Sequence, residues 1–292
     1  MKKSLFTGVA TALATPFSPN GINYIEFKRF IDMQINSGIN ALVVCGTTGE
    51  ASTMTNEEKS ELINCAVSTC NKRVPIIVGT GSNNTSQAIE NSILAEKLGA
   101  DGLLVVTPYY NKTTQDGLIE HYKAISESTS LPIILYDVPS RTGMNILPET
   151  CFELSKIDNI IGIKEASGNI SQVSKISSLC GDDFSIYSGN DDQIVPILSV
   201  KGKGVISVLS NINPELVLNI TNAFFDGDLK KSCYYQLEAL PIIEALFKET
   251  NPIPVKQALN LLGFNFGEPR LPLIKCSENS KNELIKLISR NI

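Results

Sequence analysis

The sequence has one histidine, His121, and no Cys-X-X-Cys pair among its seven cysteines, Cys45, Cys65, Cys70, Cys151, Cys180, Cys233 and Cys276. Zinc sites draw on clustered Cys and His ligands, and disulfide frameworks on an even, patterned set, so an odd and scattered count fits neither. A basic excess is also missing. The 292 residues carry 25 Lys plus Arg against 30 Asp plus Glu, a formal net charge of -5. With no Lys/Arg run to neutralise phosphates, nucleic acid is excluded as a partner. No apolar run approaches the roughly 20 residues of a membrane helix, so a membrane partner is not expected either, and the expected compartment is a reducing cytoplasm. A dinucleotide fingerprint begins at Gly79-Thr80-Gly81, but Asn84 stands where its third glycine belongs, and no GxxxxGK[ST] loop occurs.

What remains, 42% hydrophobic and 19% charged residues, is the composition of an ordinary globule long enough for a large core. Met1-Lys2-Lys3 and the apolar stretch Leu5 to Ala14 imitate a secretory leader, with Ala12-Leu13-Ala14 as a cleavage-like triplet. Thr7, Gly8 and Thr11 interrupt that stretch, however, and it also reads as a first β-strand ending at Thr15-Pro16. Seven further β-rich runs follow: Ala41-Cys45, Pro75-Val78, Gly102-Val106, Pro132-Tyr136, Ile160-Ile163, Phe184-Tyr187 and Gly204-Val208. They are nearly continuous hydrophobic runs, as expected where helices cover both faces of a parallel sheet.

Helical spacing fills the gaps. Thr55 and Glu58 form a capping-box pattern before a helix running to about Cys70. Ile89, Ile93 and Leu98 share a face that ends at Gly99, and Val173, Ile176 and Leu179 repeat the stripe before Gly181. Pro148 and Pro214 sit where a first helical turn accepts proline. Eight β/α units of about 28 residues each suit a closed (β/α)8 TIM barrel of the α/β class over residues 1–225, with a doubly wound open sheet as the alternative. Residues 226–292 read as a C-terminal helical domain of three helices, Leu229 to Glu249, Val255 to Leu262 and Asn279 to Ile288, the first kinked or split by Pro241.

In such a barrel the chemistry lies at the C-terminal ends of the strands. In Ile160-Ile161-Gly162-Ile163-Lys164-Glu165, period-two alternation puts Ile160, Gly162 and Lys164 on one face; if that face is interior, Gly162 leaves space beside Lys164. Most lysines are solvated surface charges, but one directly following a buried strand is a candidate for enclosure, which disfavours the charged amine. The neutral amine is the form that attacks a carbonyl to give a Schiff base. Tyr136 shares the face of Ile134 and points to the same side if the registers match. It is either a core tyrosine or a phenol that relays protons.

The residues after the Tyr136 strand and after three other strands supply further candidates. Arg141 is either half of a surface salt bridge or a fork for a substrate carboxylate. Gly46-Thr47-Thr48-Gly49-Glu50 is a small-residue loop whose amides can converge on an anion. Ser188-Gly189-Asn190-Asp191-Asp192 adds negative charge where phosphate-binding barrels grip phosphate, favouring a non-phosphorylated substrate. Tyr109 and Tyr110 offer two more phenols at the rim, one of them a possible interface aromatic. His121 reads as structural, Cys45 and Cys65 as small core hydrophobes, and Lys201-Gly202-Lys203-Gly204 as a solvated turn on the opposite rim.

Taken together, Gly46 to Glu50, Tyr136-Asp137-Val138-Pro139-Ser140-Arg141-Thr142-Gly143, Gly162-Ile163-Lys164-Glu165 and Tyr187-Ser188-Gly189-Asn190-Asp191 resemble the dihydrodipicolinate synthase family of pyruvate-dependent class I aldolases over nearly the whole chain. The resemblance implies that Lys164 forms an imine with pyruvate, whose enamine attacks the aldehyde of L-aspartate 4-semialdehyde. Cyclisation then gives 4-hydroxy-tetrahydrodipicolinate, on the route to diaminopimelate and lysine. It further implies a proton relay of Tyr136, Thr47 and Tyr110, the last donated across a subunit interface. Thr48 would hold the pyruvate carboxylate, Arg141 the semialdehyde carboxylate, and Gly189 and Ile206 would line the pocket.

By the same resemblance no metal or organic cofactor is expected, and the chain is expected to form a homo-oligomer, at least a dimer and, as the expected form, a tetramer built as a dimer of dimers, the sequence not deciding between the two. Lysine-inhibited relatives meet the inhibitor with an acidic side chain where this chain has Gln87. Asn83 and Tyr109 match that inhibitor site, whereas Asn56 and Lys59 replace histidines, so weak or absent feedback by lysine is expected. The rival readings are a sister aldolase cleaving N-acetylneuraminate or a 2-keto-3-deoxy sugar acid, and a silent keto-acid sensor. A polyol aldehyde would need several hydrogen-bonding partners where Arg141 suits a short carboxylate.

Overall fold

The structure is a computed structural model describing residues 2–291. Strands β1 (Gly8–Ala12), β4 (Ala41–Val44), β5 (Ile76–Gly79), β6 (Gly102–Val106), β7 (Ile133–Asp137), β8 (Ile160–Glu165), β9 (Ser185–Ser188) and β10 (Gly204–Ser207) are parallel neighbours in chain order. β10 pairs with β1 to close the barrel. A small hairpin, β2 (Phe17–Ser18) with β3 (Gly21–Ile22), follows the first strand and was not anticipated. All eight expected runs are strands of the barrel. The first ends at Ala12 rather than Thr15-Pro16, although Leu13 N still donates to Val43 O at 2.9 Å. Met1 of the leader-like stretch lies outside the described residues; the rest of that stretch supplies β1, which pairs on both edges, with β10 and β4.

Each strand is followed by helix: α1 (Tyr24–Asn36), α2 (Asn56–Cys70), α3 (Thr85–Lys97), α4 (Gln115–Ser126), the turn α5 (Pro139–Thr142) with α6 (Pro148–Ser155), α7 (Ile170–Cys180), α8 (Ile194–Ser199) and α9 (Pro214–Phe225). The chain then adds α10 (Leu229–Phe247), α11 (Ile253–Leu261) and α12 (Glu278–Asn291). The capping box at α2 is formed: Glu58 N donates to Thr55 Oγ1 at 3.2 Å and Thr55 N to Glu58 Oε2 at 3.1 Å. Pro148 and Pro214 open α6 and α9, and Gly99 follows α3 with φ +89.

Four local expectations are corrected. On α3 the buried face is Ala88, Ser92 and Ala95, while Ile93 is exposed; small residues let the helix approach the barrel closely. On α7 Val173 and Ile176 are buried, but Leu179 reaches solvent at the helix end. Pro241 does not split α10, which runs through it as one helix. The fourth correction lies on β8, where the register to β7 shifts between Ile133 and Ile134. The shift turns Ile160 outward to the helix layer and Ile161 inward, so Ile160 does not share the face of Lys164.

Two hydrophobic layers result. Inside the barrel, Ala10, Ala12 and Ala41 on one wall face Ile134, Tyr136 and Tyr187 on the other, small against large. Phe6 seals the lower end, its ring 4.3 Å from that of Tyr187, whose hydroxyl donates to Phe6 O at 2.9 Å. Between barrel and helices runs a second, larger layer, which residues of α10 and α11 such as Ile242, Leu246, Val255 and Leu259 continue without a break.

Candidate active site

Tyr136 and Lys164 are register partners on β7 and β8, and their side chains meet inside the upper end of the barrel. Lys164 is 6% exposed, with Nζ 4.3 Å from the centroid of the Tyr136 ring. Among the described residues it forms no salt bridge. The glycine that makes room for it is not Gly162. A Cβ on Gly162 would strike Ser185 O at 2.3 Å, so that glycine permits close strand approach. At Gly189 a Cβ would meet Ala166 Cβ at 2.6 Å and Lys164 Cε at 3.2 Å, so the space beside the lysine comes from the loop after β9.

Lys164 and Tyr136 open onto a cavity of about 180 Å³ that Thr47, Thr48, Arg141, Gly189, Asn190 and Asn251 also line. In the Gly46–Glu50 loop, Gly49 N and Glu50 N turn back onto the carbonyls of Gly46 and Thr47, so these two amides are already used within the loop. Thr48 Oγ1 accepts from Asn251 Nδ2 at 3.0 Å. Arg141 belongs to the helical turn α5 rather than to a loop, and it makes no salt bridge among the described residues. Its Nη2 instead donates to Asn251 O at 3.4 Å.

Two of the expected site residues do not line this chain's own cavity, one of them, Tyr110, being expected to act across a subunit interface. Ile206 is wholly buried in the barrel interior, and Val208 supplies the cavity wall on that side. Tyr110, in the loop after β6, is 93% exposed with φ +68 and does not line the cavity.

Of the two acidic residues expected to add negative charge after β9, Asp192 is exposed and Asp191 is not. Asp191 is buried, and its Oδ2 accepts from Val208 N at 3.0 Å and Leu209 N at 2.9 Å. Burial pushes its carboxyl up, which these hydrogen bonds and the nearby Lys164 partly oppose. Behind the cavity, on the outer side of β7 and β8, Asp137 and Glu165 are register partners, both buried, and Gln172 Nε2 donates to each, at 3.3 and 3.1 Å. Burial, reinforced by Glu165, raises Asp137 to about 8.

Sequence reasoning missed this carboxyl pair and everything from the C-terminal helices. Glu50, in the left-handed region at φ +57, is buried with its Oε1 2.8 Å from Lys256 Nζ, and its Oε2 accepts from Arg270 N at 2.8 Å. The one available signal was a lysine inside the apolar stretch Ile253–Leu261.

A second cavity, of about 220 Å³, shares Gly46, Thr47, Leu104 and Tyr136 with the first, so Thr47 and Tyr136 stand between the two. Asn56, Lys59 and Tyr109 line it. Gln87 and Asn83 do not; the Gln87 amide donates to Asn91 Oδ1 at 3.1 Å, and Asn91 is in the wall. His121 is structural as expected: its Nδ1 lies 2.9 Å from Thr85 Oγ1, and burial pushes the ring down to about 4. Cys45 and Cys65 are buried, and burial pushes the Cys45 thiol up to about 12. Among the described residues no three His, Cys, Asp or Glu side chains converge to hold a metal ion, and no helix is long and apolar enough to cross a membrane.

Comparison with known proteins bears on this geometry directly. The model of the dihydrodipicolinate synthetase family matches residues 5–291. The chain belongs to that family. It is 56% identical to 4-hydroxy-tetrahydrodipicolinate synthase 1 of Clostridium acetobutylicum over 96% of each chain. Among solved structures, dihydrodipicolinate synthase from Thermotoga maritima superposes with a TM-score of 0.97 at 44% identity, covering 98% of this chain and 99% of that one. The chloride-inhibited enzyme from Acinetobacter baumannii, complexed with pyruvate, does so at 0.95 and 38% identity over 97% and 98%.

Proposed function

We infer that this chain is a 4-hydroxy-tetrahydrodipicolinate synthase, a class I aldolase-type lyase that condenses pyruvate with L-aspartate 4-semialdehyde. The observation that carries the reading is the enclosed, unpaired amine of Lys164 held 4.3 Å from the Tyr136 ring at the top of the barrel. An amine there adds to the C2 carbonyl of pyruvate, and loss of water gives the imine. Removal of a methyl proton makes the enamine, whose C3 attacks the aldehyde. The amino group of the semialdehyde then adds to the imine carbon and displaces Lys164, closing the ring and freeing the lysine.

Each of these steps moves a proton, and Tyr136 with Thr47 is the relay for them, because a phenol and a hydroxyl both give and accept protons without carrying charge. Thr48 holds the pyruvate carboxylate and Arg141 that of the semialdehyde, with Gly189 providing the room. No metal or organic cofactor enters, since the covalent imine is the electron sink. Tyr110, fully exposed in the single chain, completes the relay from a second copy in a dimer, itself paired into a tetramer, and sedimentation analysis that returned only monomer would sink that assembly.

Borohydride reduction in the presence of pyruvate, followed by peptide mass mapping, tests the mechanism. The expected adduct sits on Lys164, and a stable adduct on any other residue overturns it. Turnover of pyruvate with L-aspartate 4-semialdehyde, and none of N-acetylneuraminate or a 2-keto-3-deoxy sugar acid, distinguishes the synthase from its sister aldolases.

A further inference from the structure

We propose that Cys180 and Cys151 form an oxidisable thiol pair in the helix layer: Cys180 is attacked by hydrogen peroxide, and Cys151 resolves the product to a disulfide that staples α6 to α7. The site is separate from the Lys164 cavity, which neither cysteine lines, and the inference stands independently of the synthase reading.

Cys151 lies on α6 and is wholly buried, whereas Cys180, the last residue of α7, is only partly so. The two helices pack together, with Cys151, Leu154, Val173 and Ile176 in the layer between barrel and helices. Where they meet, the Cys151 thiol donates to the Cys180 sulfur, to which Ser155 is also hydrogen-bonded. The Lys2 ammonium stands nearby, held by the carbonyls of Ser155 and Ile157, each at 2.5 Å, and of Ile160 at 2.8 Å. These surroundings divide the two roles. Burial, and then the bond to Cys180, pushes the Cys151 thiol up, so it keeps its proton. The bond from Cys151 holds the Cys180 thiol below its ordinary value against partial burial, with help from Ser155 and Lys2. The thiolate is the form that peroxide oxidises, and the accessible sulfur is the one favoured as thiolate.

Peroxide is the only co-reactant needed. The Cys180 thiolate attacks one peroxide oxygen and the O–O bond breaks; sulfur loses two electrons and becomes a sulfenic acid, while the other oxygen leaves as hydroxide and takes up a proton as water. The Cys151 sulfur, giving up its proton, then attacks the Cys180 sulfur. An S–S bond forms, the S–O bond breaks, and a second water leaves. The backbone can accommodate this. Cys180 ends its helix immediately before Gly181, which is left-handed at φ +71, so its sulfur can close from hydrogen-bonding to bonding distance while the rest of α7 stays in place.

The test treats the native full-length protein with hydrogen peroxide, alkylates the remaining thiols and maps peptides by mass. A linked Cys151–Cys180 peptide, lighter by two hydrogens than its two halves and lost on treatment with dithiothreitol, is expected. The oxidised protein is expected to melt about 5 °C above the reduced one, because the bond closes a loop in the unfolded chain. Cys233 on α10, the other partly exposed cysteine among the described residues, is the control for exposure and is expected to oxidise at least about fivefold more slowly than Cys180. In Cys151→Ser nothing resolves the first product, so dimedone is expected to trap a sulfenic acid on Cys180. Absence of the linked peptide, or oxidation of Cys233 as fast as Cys180, would overturn the proposal, and a linked protein that melts no higher would overturn the staple. If Cys151→Ser folds poorly by circular dichroism, Cys180→Ser, at a partly exposed helix end, replaces it: Cys151 is then expected to stay reduced, and its oxidation at the wild-type rate would show that Cys180 is not the sulfur attacked.

Discussion

Among the described residues two lysines, Lys164 and Lys256, are buried, each with its nitrogen 4.3 Å from the centre of an aromatic ring, Tyr136 for one and Phe17 for the other. Around Lys256 every contact fixes the nitrogen. Glu50 lies 2.8 Å away, Glu268 O accepts at 3.2 Å, and Arg270, paired with Glu58, covers the same Phe17 ring. Around Lys164 the ring is present, but among the described residues no carboxylate lies within salt-bridge distance, and a cavity adjoins the nitrogen instead. The comparison teaches that burial alone does not make a lysine reactive. Burial against a partner makes a tie between the C-terminal helices and the loop bearing Thr47 and Thr48, whereas burial against an empty space leaves an amine for substrate.

The sharpest way to break this contrast is to remove each nitrogen in turn. Lys164→Met is expected to cost at least about 10³-fold in kcat, since no second amine reaches the cavity, while melting at or above the wild-type temperature. Lys256→Met is expected to do the reverse in kind. Glu50 is left buried without its counter-ion, at a cost of about 3–5 kcal/mol in stability, and restoring neutrality with Glu50→Gln in the same chain recovers much of it. Thermal melts and steady-state kinetics on the three variants decide the matter. A Lys164 variant that unfolds, or a Lys256 variant as stable as wild type, would show the two sites to be alike.

The same contrast explains how much of the molecule was legible in the sequence. That Lys164 and Tyr136 meet at a cavity was readable because each stands at the end of a hydrophobic strand, and in a parallel barrel the strand ends open onto one common space. The inward turn of Ile161 was not readable, because a register shift is a property of two strands and alternation describes only one. Lys256, Asn251 and the Asp137–Glu165 pair were missed for a related reason: their partners lie far along the chain, as Glu50 does from Lys256, or across a strand pair. No spacing rule marks such partners. Gly162 and Gly189 exchanged roles because a missing Cβ says only that something comes close, and folding decides what.

A third treatment of buried charge separates Asp137 from both lysines. It is neither paired with an opposite charge nor left facing a cavity; it keeps its proton. Its folded value of about 8 lies above the ordinary 3.8, pushed there first by burial and then by Glu165. The native state therefore holds a proton that the unfolded chain releases, and the contribution of Asp137 to stability, complete below about 4, is lost as pH rises through about 8. Asp137→Asn removes the titration, so its stability between pH 5 and 9 is expected to be flatter than that of wild type, with the relative gain largest at pH 9. Denaturant melts across that range check it; curves that stay parallel would mean Asp137 is ionised in the fold and that the pair is handled as Lys256 is.

The smallest expected effect concerns a lysine that is not buried. Lys59 is half-exposed in the wall of the cavity adjoining that of Lys164, across Thr47 and Tyr136. Where Lys164 has no partner and Lys256 has one, Lys59 would face a free lysine ligand of its own sign, and the wall offers no Asp or Glu to offset it. Inhibition by lysine is therefore expected to be weak or absent at millimolar concentration. Because exposed charges interact through water, Lys59→Gln is expected to increase sensitivity only about two- to fivefold, and only at low ionic strength. Inhibition curves for both proteins at low and at 0.5 M salt, roughly beyond the range of surface electrostatics, measure this directly. Strong, cooperative inhibition of the wild type below one millimolar would mean that the cavity recognises lysine through its neutral groups, and that the sign of Lys59 does not govern what binds there.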